Sequence, residues 1–555
     1  MQARPHQVKG RESVIESFDD GYHRQIVNMA TGTGKTFLFA DLYVHLLSRL
    51  PGKMLVLAHT EELVDQNIAT IKAVNPTLRV DKEMAEHKAD PSQADIIVAS
   101  VASLGRKGSS RLAKYNWDEW STVVVDEAHH TPASSYLNIL GACGVLQPSS
   151  NKLLLGVTAT SQRSDGKALS GIYDKISYVY SLRQAIEDGQ LVDVRGYKVD
   201  TRTSIESVVT SGGDFKQTDL ADTVNNSDRN TRIVQAWEEL AESRQTVAFC
   251  ASIKHAQDLA AEFTTAGISA DAIWGDDPNR EEKLALHRAG KIKVLCNCQV
   301  LTEGYDDPSI SCILLARPTK SPVLFTQMCG RGTRLQDGKK DCLIIDVVDM
   351  SGDHTLCTVP TLMGLPDKLD LCGQSLYKSV KEIEKAQEEN PNIDFMKMQK
   401  ITDLKSFVEN INLFEVRFPK EVEEHSDFKW CQSVTGGYRM SIPKGRNGEA
   451  AGFVHIQQNM LDGWEIKGQI RGIDVVGQRP TMEEAFAAAD NAIRTRAEGS
   501  VALVDRKSSW NTKEATPAQL GLLKKLYGKF KQFPATLTRG QAAFYIDQKI
   551  SKRAK

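Results

Sequence analysis

Residues 29–36 read MATGTGKT. They follow a short apolar run, QIVNM at 25–29, and open a helical pattern. Gly32 and Gly34 let backbone N–H groups come close to phosphate oxygens. In such a loop Lys35 is placed for the outer two phosphates of a nucleotide, and Thr36 for a magnesium ion. A glycine-rich turn beside a surface lysine would be the plainer reading. The strand before the loop and the helix after it argue against that.

The runs around this loop set the fold class. MLVLA (54–58), DIIVA (95–99), TVVVD (122–126) and LLLGV (153–157) alternate with longer helical patterns. Continuous apolar runs belong to parallel strands covered on both faces. The rhythm restarts after about residue 240 with TVAFC, KVLCN, CILLA and CLIID (342–346). Two α/β units in tandem are therefore expected, joined by 181–240. VVVDEAHH (123–130) delivers Asp126 and Glu127 at a strand's C-terminal end, where such sheets bind ligands. Asp126 fits as a magnesium partner and Glu127 as the residue that orients an attacking water. Acidic residues also end strands as solvated caps; pairing with the loop disfavours that here.

A chain of 555 residues is too long for one core, so two to four domains are expected. With 41% hydrophobic and 25% charged residues and a net charge of −2, it is neither a disordered chain nor a uniformly basic coat. The polar start and the lack of a bilayer-length apolar run make a cytoplasmic protein the default expectation, with no membrane partner. Ten cysteines are scattered without a CxxC; Cys250, Cys296, Cys298 and Cys312 lie in apolar runs. Reduced, buried thiols fit this better than a metal site built from Cys342, His354, Cys357 and Cys372.

Beyond about residue 360 the pattern changes. SLYKSVKEIEKAQEEN (375–390) reads as an exposed charged helix, within a helical connector over 361–427. From 428, short alternating runs between Gly-rich turns (Tyr438, Met440, Ile442; Trp464, Ile466) predict an antiparallel sheet. Thr481 with Glu484 forms a capping-box signature for the next helix. This gives a β-sheet-plus-helix module at 428–497, for which no motif suggests a role. Thr516/Gln519 and Thr538/Gln541 mark two closing helices in a basic segment, 498–555.

Four further stretches complete an ordered set. They are RPHQ (4–7), TAT (158–160), VLTEGYDDP (300–308) and QMCGRGTR (327–334). With VLAHTEELVDQ (56–66) and DIIVASVASL (95–104), they make residues 3–350 resemble the superfamily 2 helicases of the DEAH-containing type. The resemblance implies two tandem RecA-like doubly wound parallel-sheet domains, at 1–180 and 181–360. A small α+β module and a helical tail would follow. It implies ATP and Mg²⁺ as cofactors and an ATP-hydrolysing helicase as the function. Arg4, Gln7, Thr31, Gly32, Thr33, Gly34, Lys35 and Thr36 would bind nucleotide, with Gly304 and Asp306 from the second domain. Lys35, Asp126, Glu127, Gln327, Arg331 and Arg334 would form the catalytic set, with Thr36 and Asp126 on Mg²⁺. The two arginines would act as fingers on the transferring phosphoryl group; a surface pair docking a carboxylate is the alternative. His129, Thr158 and Thr160 would couple hydrolysis to movement. Two departures stand out: Met29 replaces the first glycine of the strict loop pattern, and Ser161 stands where many relatives have proline.

The same resemblance places Thr60, Ser103 and Thr302 on the phosphates of a tracking strand. Thr60 and Thr302 also read as helix caps. The last fifty-five residues hold twelve Lys or Arg against three Asp or Glu, interleaved with Tyr527, Phe530, Phe533, Phe544 and Tyr545. That suits a nucleic-acid clamp, and equally an amphipathic helical pair with solvated lysines. The expected partner is nucleic acid, DNA (single-stranded or branched) before RNA, bound by a monomer. The alternatives are an RNA helicase and the motor of a restriction-type nuclease; for the latter, PD (366–367) with Asp403-x-Lys405 is the one loose match to a nuclease centre.

Overall fold

The computed structural model describes residues 2–106, 110–159, 169–302, 305–351, 356–389, 395, 398–404, 420–433, 437–442, 452–459, 461–497, 501–505, 513–527, 537–539 and 542. The chain divides into two compact units. The first comprises 1–363 and 370–377, and the second 364–369 and 378–555.

The first unit holds two parallel sheets. Its N-terminal sheet is built from β1 (Arg24–Met29), β2 (Lys53–Ala58), β3 (Val80–Glu83), β4 (Ile96–Ser100), β5 (Trp120–Asp126), β6 (Leu153–Thr158) and β7 (Lys175–Tyr180). Their order is β3-β4-β2-β5-β6-β1-β7, and every pairing is parallel. The five runs anticipated from sequence are β1, β2, β4, β5 and β6. Their centres are fully buried because helices cover both faces: Val27, Val56, Val98, Val124 and Leu155 are all at 0% exposure. Helices α1 (Pro5–Asp19), α2 (Lys35–Leu46) and α3 (Glu61–Val74) surround them.

The second sheet uses β8 (Asp193–Ser204), β11 (Thr246–Phe249), β12 (Ala270–Ile273), β13 (Val294–Asn297), β14 (Cys312–Leu315) and β15 (Asp341–Met350). Its order is β12-β13-β11-β14-β15-β8, again all parallel. A small hairpin, β9 (Thr210–Ser211) and β10 (Asp214–Phe215), lies between β8 and β11. The segment expected only to join the two sheets therefore supplies β8, an edge strand of the second. Arg229 and Asp349, both fully buried, pair through two hydrogen bonds of 3.0 and 2.9 Å in this half. Together the sheets and their helices form two RecA-like halves.

The second unit carries an antiparallel sheet of β16 (Cys431–Gln432), β17 (Tyr438–Ile442), β18 (Gly452–Gln458), β19 (Trp464–Ile470) and β20 (Ile473–Arg479), paired in sequence order. The alternation read from sequence sets its faces. Met440, Ile442, Val454, Ile456 and Ile466 point inward against Phe486, Ala489 and Ile493 of the helix Met482–Arg496. Thr481 caps that helix by accepting from the Glu484 amide. Buried Asp490 holds Trp430 Nε1 at 2.9 Å and the Ser426 hydroxyl at 2.7 Å, fixing the helix to the start of the sheet. Residues 405–419 of the connector and much of the 498–555 segment, including Lys405, Phe530, Phe533, Phe544 and Tyr545, lie outside the described residues.

Candidate active site

Because all strands of the first sheet run parallel, their C-terminal ends lie along one edge. The residues singled out from sequence follow those ends: the phosphate loop after β1, Thr60 after β2, Ser103 after β4, Glu127 after β5. The loop turns through Gly32 and Gly34, at φ +85° and +86°, a region costly for other residues. Gly34 sits at the N-terminus of α2, whose unpaired amides and dipole favour an anion.

α1 braces the loop from behind. Gln7 Nε2 donates to the carbonyl of Thr33 at 3.2 Å, and its Oε1 accepts from the Arg4 amide at 2.9 Å. His6 Nε2 lies 2.9 Å from the Thr33 carbonyl, and its ring stacks on Tyr180 at 4.3 Å. Burial lowers the His6 pKa despite the carbonyl beside it. Sequence alone did not single out His6; its place beside Gln7 gave no signal.

The acidic pair meets this loop. Lys35 Nζ lies 2.7 Å from Glu127 Oε1. Asp126 reaches Thr36 through a bridge that sequence did not reveal: Thr36 Oγ1 donates to Asn67 Oδ1 at 3.0 Å, and Asn67 Nδ2 donates to Asp126 Oδ2 at 3.1 Å. Burial, then the charge of Glu127, raises Asp126 above the usual carboxylate range. Burial alone would raise Glu127 too, but Lys35 and His129 outweigh it and hold it well below that range. Glu127 has a left-handed backbone at φ +52°, a conformation that persists in a non-glycine residue only where its surroundings fix it. His129 Nδ1 stands 3.5 Å from Glu127 Oε2.

The second sheet brings QMCGRGTR to the same loop. Gly330 ends the helix Pro322–Gly330 so close to Thr31 that an added Cβ would come within 2.6 Å of the threonine Cβ. Gln327 is buried on that helix. The two arginines part company here. Arg331 is 6% exposed and grips backbone carbonyls: Nη2 to Thr302 at 2.7 Å, Nε to Thr302 at 3.2 Å, Nη1 to Tyr305 at 2.7 Å. Arg334 instead lies over the phosphate loop, where a Cβ on Gly32 would touch its Cγ at 3.4 Å. Asp306 pairs with its Nε. Burial lowers the Arg334 pKa, against the pull of Asp306 and Asp307, yet a guanidinium keeps its charge. Among the described residues, the polar atoms buried at this site without a hydrogen-bond partner include Arg334 Nη1, Glu127 Oε2, His129 Nδ1 and Thr31 Oγ1. Spare donor and acceptor atoms on a guanidinium, a carboxylate and a hydroxyl round one loop suit a polyphosphate and a water. The oxygen donors of Thr36 and Asp126 suit a hard divalent cation that takes its remaining ligands from phosphate and water.

Residues 1–163 match the family described as "Type III restriction enzyme, res subunit". Residues 229–336 match "Helicase conserved C-terminal domain", and 396–555 match "Mitochondrial helicase Irc3, C-terminal domain". The chain is 31% identical over 575 residues to "Putative mitochondrial ATP-dependent helicase irc3" of Schizosaccharomyces pombe, covering 99% of this chain and 90% of that protein. The chain belongs to the Irc3 family of superfamily 2 helicases. It is also 34% identical to "Putative ATP-dependent helicase IRC3" of Saccharomyces cerevisiae, over 65% of this chain and 53% of that one. The Hef helicase domain of Pyrococcus furiosus superposes at a TM-score of 0.41 and 15% identity, over 61% of this chain and 94% of that one. This helicase uses and hydrolyses ATP and binds nucleic acid.

The remaining motif residues of this Irc3-family helicase are placed as follows. Thr60 caps α3, accepting from the Leu63 amide at 3.3 Å, and Ser103 Oγ accepts from the Ala85 amide at 2.9 Å. Thr302 lends its carbonyl to Arg331. Thr158 is buried at the end of β6. Gly304, Thr160, Ser161 and His354 lie outside the described residues. Among the described residues no group of three or more His, Cys, Asp and Glu side chains could hold a metal, and Cys342, Cys357 and Cys372 form no disulfide. No described helix is long and apolar enough to cross a membrane.

Proposed function

We propose that this helicase is a DNA translocase or helicase acting in replication, recombination or repair, with its ATP site divided between domains at 1–180 and 181–360. The observation that carries the site is the meeting of Lys35, Glu127 and Arg334 at one glycine-turned loop. In this reading the triphosphate settles on the α2 N-terminus and draws Lys35 off Glu127. The freed carboxylate then orients and polarises the attacking water. Gln7 and Arg4 hold the rim of the loop on the adenine side. Arg334 meets the charge that spreads over the transferring phosphoryl group. Arg331 holds the carbonyls of Thr302 and Tyr305, so that Thr302 and Asp306 keep their positions. Mg²⁺, held by Thr36 and Asp126, would neutralise charge on the outer phosphates. His129, Thr158 and Thr160 would pass a change at the phosphate on to movement.

Asn67 should tune this metal position, since it fixes both oxygens that would hold the ion. Asn67→Ala is expected to raise the Mg²⁺ concentration for half-maximal turnover by about tenfold, as loss of a supporting hydrogen bond does at metal sites. A magnesium titration of ATPase activity checks this; an unchanged midpoint would remove Asn67 from the site.

Strand contacts at Thr60, Ser103 and Thr302 would use hydroxyls and helix starts, which carry no base information, so binding should be largely independent of sequence. The 498–555 segment would add cations. Deleting 499–555 is expected to leave a motor with ATPase activity, because the nucleotide motifs end at Arg334. It should weaken DNA binding most at low salt and flatten the dependence of log affinity on log salt, by about 0.7 to 0.9 for each phosphate that the segment would neutralise. A salt titration of both proteins decides the point. Superimposable lines would mean that the segment does not touch DNA.

A further inference from the structure

Three histidine rings connect the β2 loop to the catalytic carboxylate. His59 directly precedes Thr60. Its ring centroid lies 4.5 Å from that of His130. The His130 ring lies 4.1 Å from that of His129. His129 Nδ1 in turn stands 3.5 Å from Glu127 Oε2. The opposite oxygen of Glu127 is held by Lys35 at 2.7 Å. One end of the file therefore adjoins a residue at which a strand phosphate would rest, and the other end adjoins the residue that would position water.

Glu127 has a neighbour at each carboxylate oxygen, Lys35 at Oε1 and His129 at Oε2. With Lys35 attached, it faces the lysine. Once a triphosphate has drawn Lys35 away, what remains beside it is His129. How firmly His129 stands then depends on His130, which packs against it, and on His59 beyond. His129 is 8% exposed, and rings in contact within packed protein cannot tilt independently.

We propose that His59 and His130 are positioning residues that relay strand occupancy at Thr60 to Glu127. A strand settled on the α3 start holds the His59 loop in one place. His59 and His130 then hold His129, and His129 holds Glu127 turned toward the water. No proton moves along the file; it works by contact. The proposal rests on the reading of Thr60 as a strand contact and of Glu127 as the water-orienting residue.

The test uses the full-length protein with Mg²⁺ and ATP, with and without a single-stranded oligonucleotide. Affinity for the same labelled oligonucleotide is measured separately. His130→Ala and His59→Ala are each expected to lower strand-stimulated turnover by about tenfold, within the range of mutations that alter coupling without touching a ligand. Basal turnover and strand affinity should stay near wild type. The double variant should be no worse than either single one, since both break the same file. His130→Phe, which restores a ring at that place, should recover most of the stimulation. Undiminished stimulation in His130→Ala overturns the proposal. So does an equal fall of basal and stimulated turnover, which marks a merely structural residue, or a wild-type enzyme that no strand stimulates. Thr60→Val and Glu127→Gln report on the underlying reading by themselves: unchanged strand affinity in the first, or unchanged turnover in the second, would fault that reading rather than the ring file.

Discussion

Glu127→Gln is expected to bind ATP and to hydrolyse it on the order of a thousandfold more slowly than wild type, the scale of losing a positioned general base. The structure gives two reasons for this split. The carboxylate is the anionic group beside Lys35, at 2.7 Å, and a neutral amide cannot polarise a water in its place. The amide also holds Lys35 less tightly, leaving the lysine freer for phosphate. Binding should therefore survive, or tighten, while the chemical step fails. Labelled-ATP binding and single-turnover hydrolysis, measured on one preparation, separate the two. Wild-type turnover in this variant would remove Glu127 from its role.

Arg334→Ala is expected to fold, to bind ATP, and to lose at least about a thousandfold in turnover, as loss of an arginine finger does. Arg334 Nη1 is buried over the loop without a hydrogen-bond partner, and Asp306, which pairs with its Nε, is 57% exposed and can be solvated, so removal of the arginine leaves little of the fold unsatisfied. Arg331→Ala should behave differently. It strips three hydrogen bonds from the carbonyls of Thr302 and Tyr305 and is expected to destabilise the second half by about 2–4 kcal/mol. Arg331→Lys should recover only part of this, because an ammonium cannot reproduce the guanidinium fork. Thermal melting set beside turnover distinguishes the pair. A melting loss in Arg334→Ala with normal turnover per folded molecule would exchange their roles.

The reach of the sequence differs from element to element. Strands such as VVVD were legible because a strand covered on both faces is apolar at every position. β7 and β8 were not, because edge strands are half exposed. β8 reads DVRGYKVDTRTS and mixes polar with apolar residues, so no run marks it. The phosphate loop and the acidic pair were legible because their chemistry needs fixed residues at fixed spacing. Asn67 was missed because no spacing rule includes it. A signal did exist: with Leu63, Val64 and Ile71 it occupies the buried stripe of α3, where an amide needs polar partners. The two arginines could not be told apart from a three-residue spacing. Their difference depends on where the carbonyls of residues 302 and 305 lie, and those are set by a loop some thirty positions away.

The most direct measurement is steady-state ATP hydrolysis by the full-length protein with Mg²⁺, compared without nucleic acid and with single-stranded DNA, duplex DNA, branched DNA and RNA. The account predicts low basal turnover that rises with DNA, most with single-stranded or branched forms, and falls to background in Arg334→Ala under every condition. Turnover that rises with RNA alone, or that is the same with and without every nucleic acid, would contradict it.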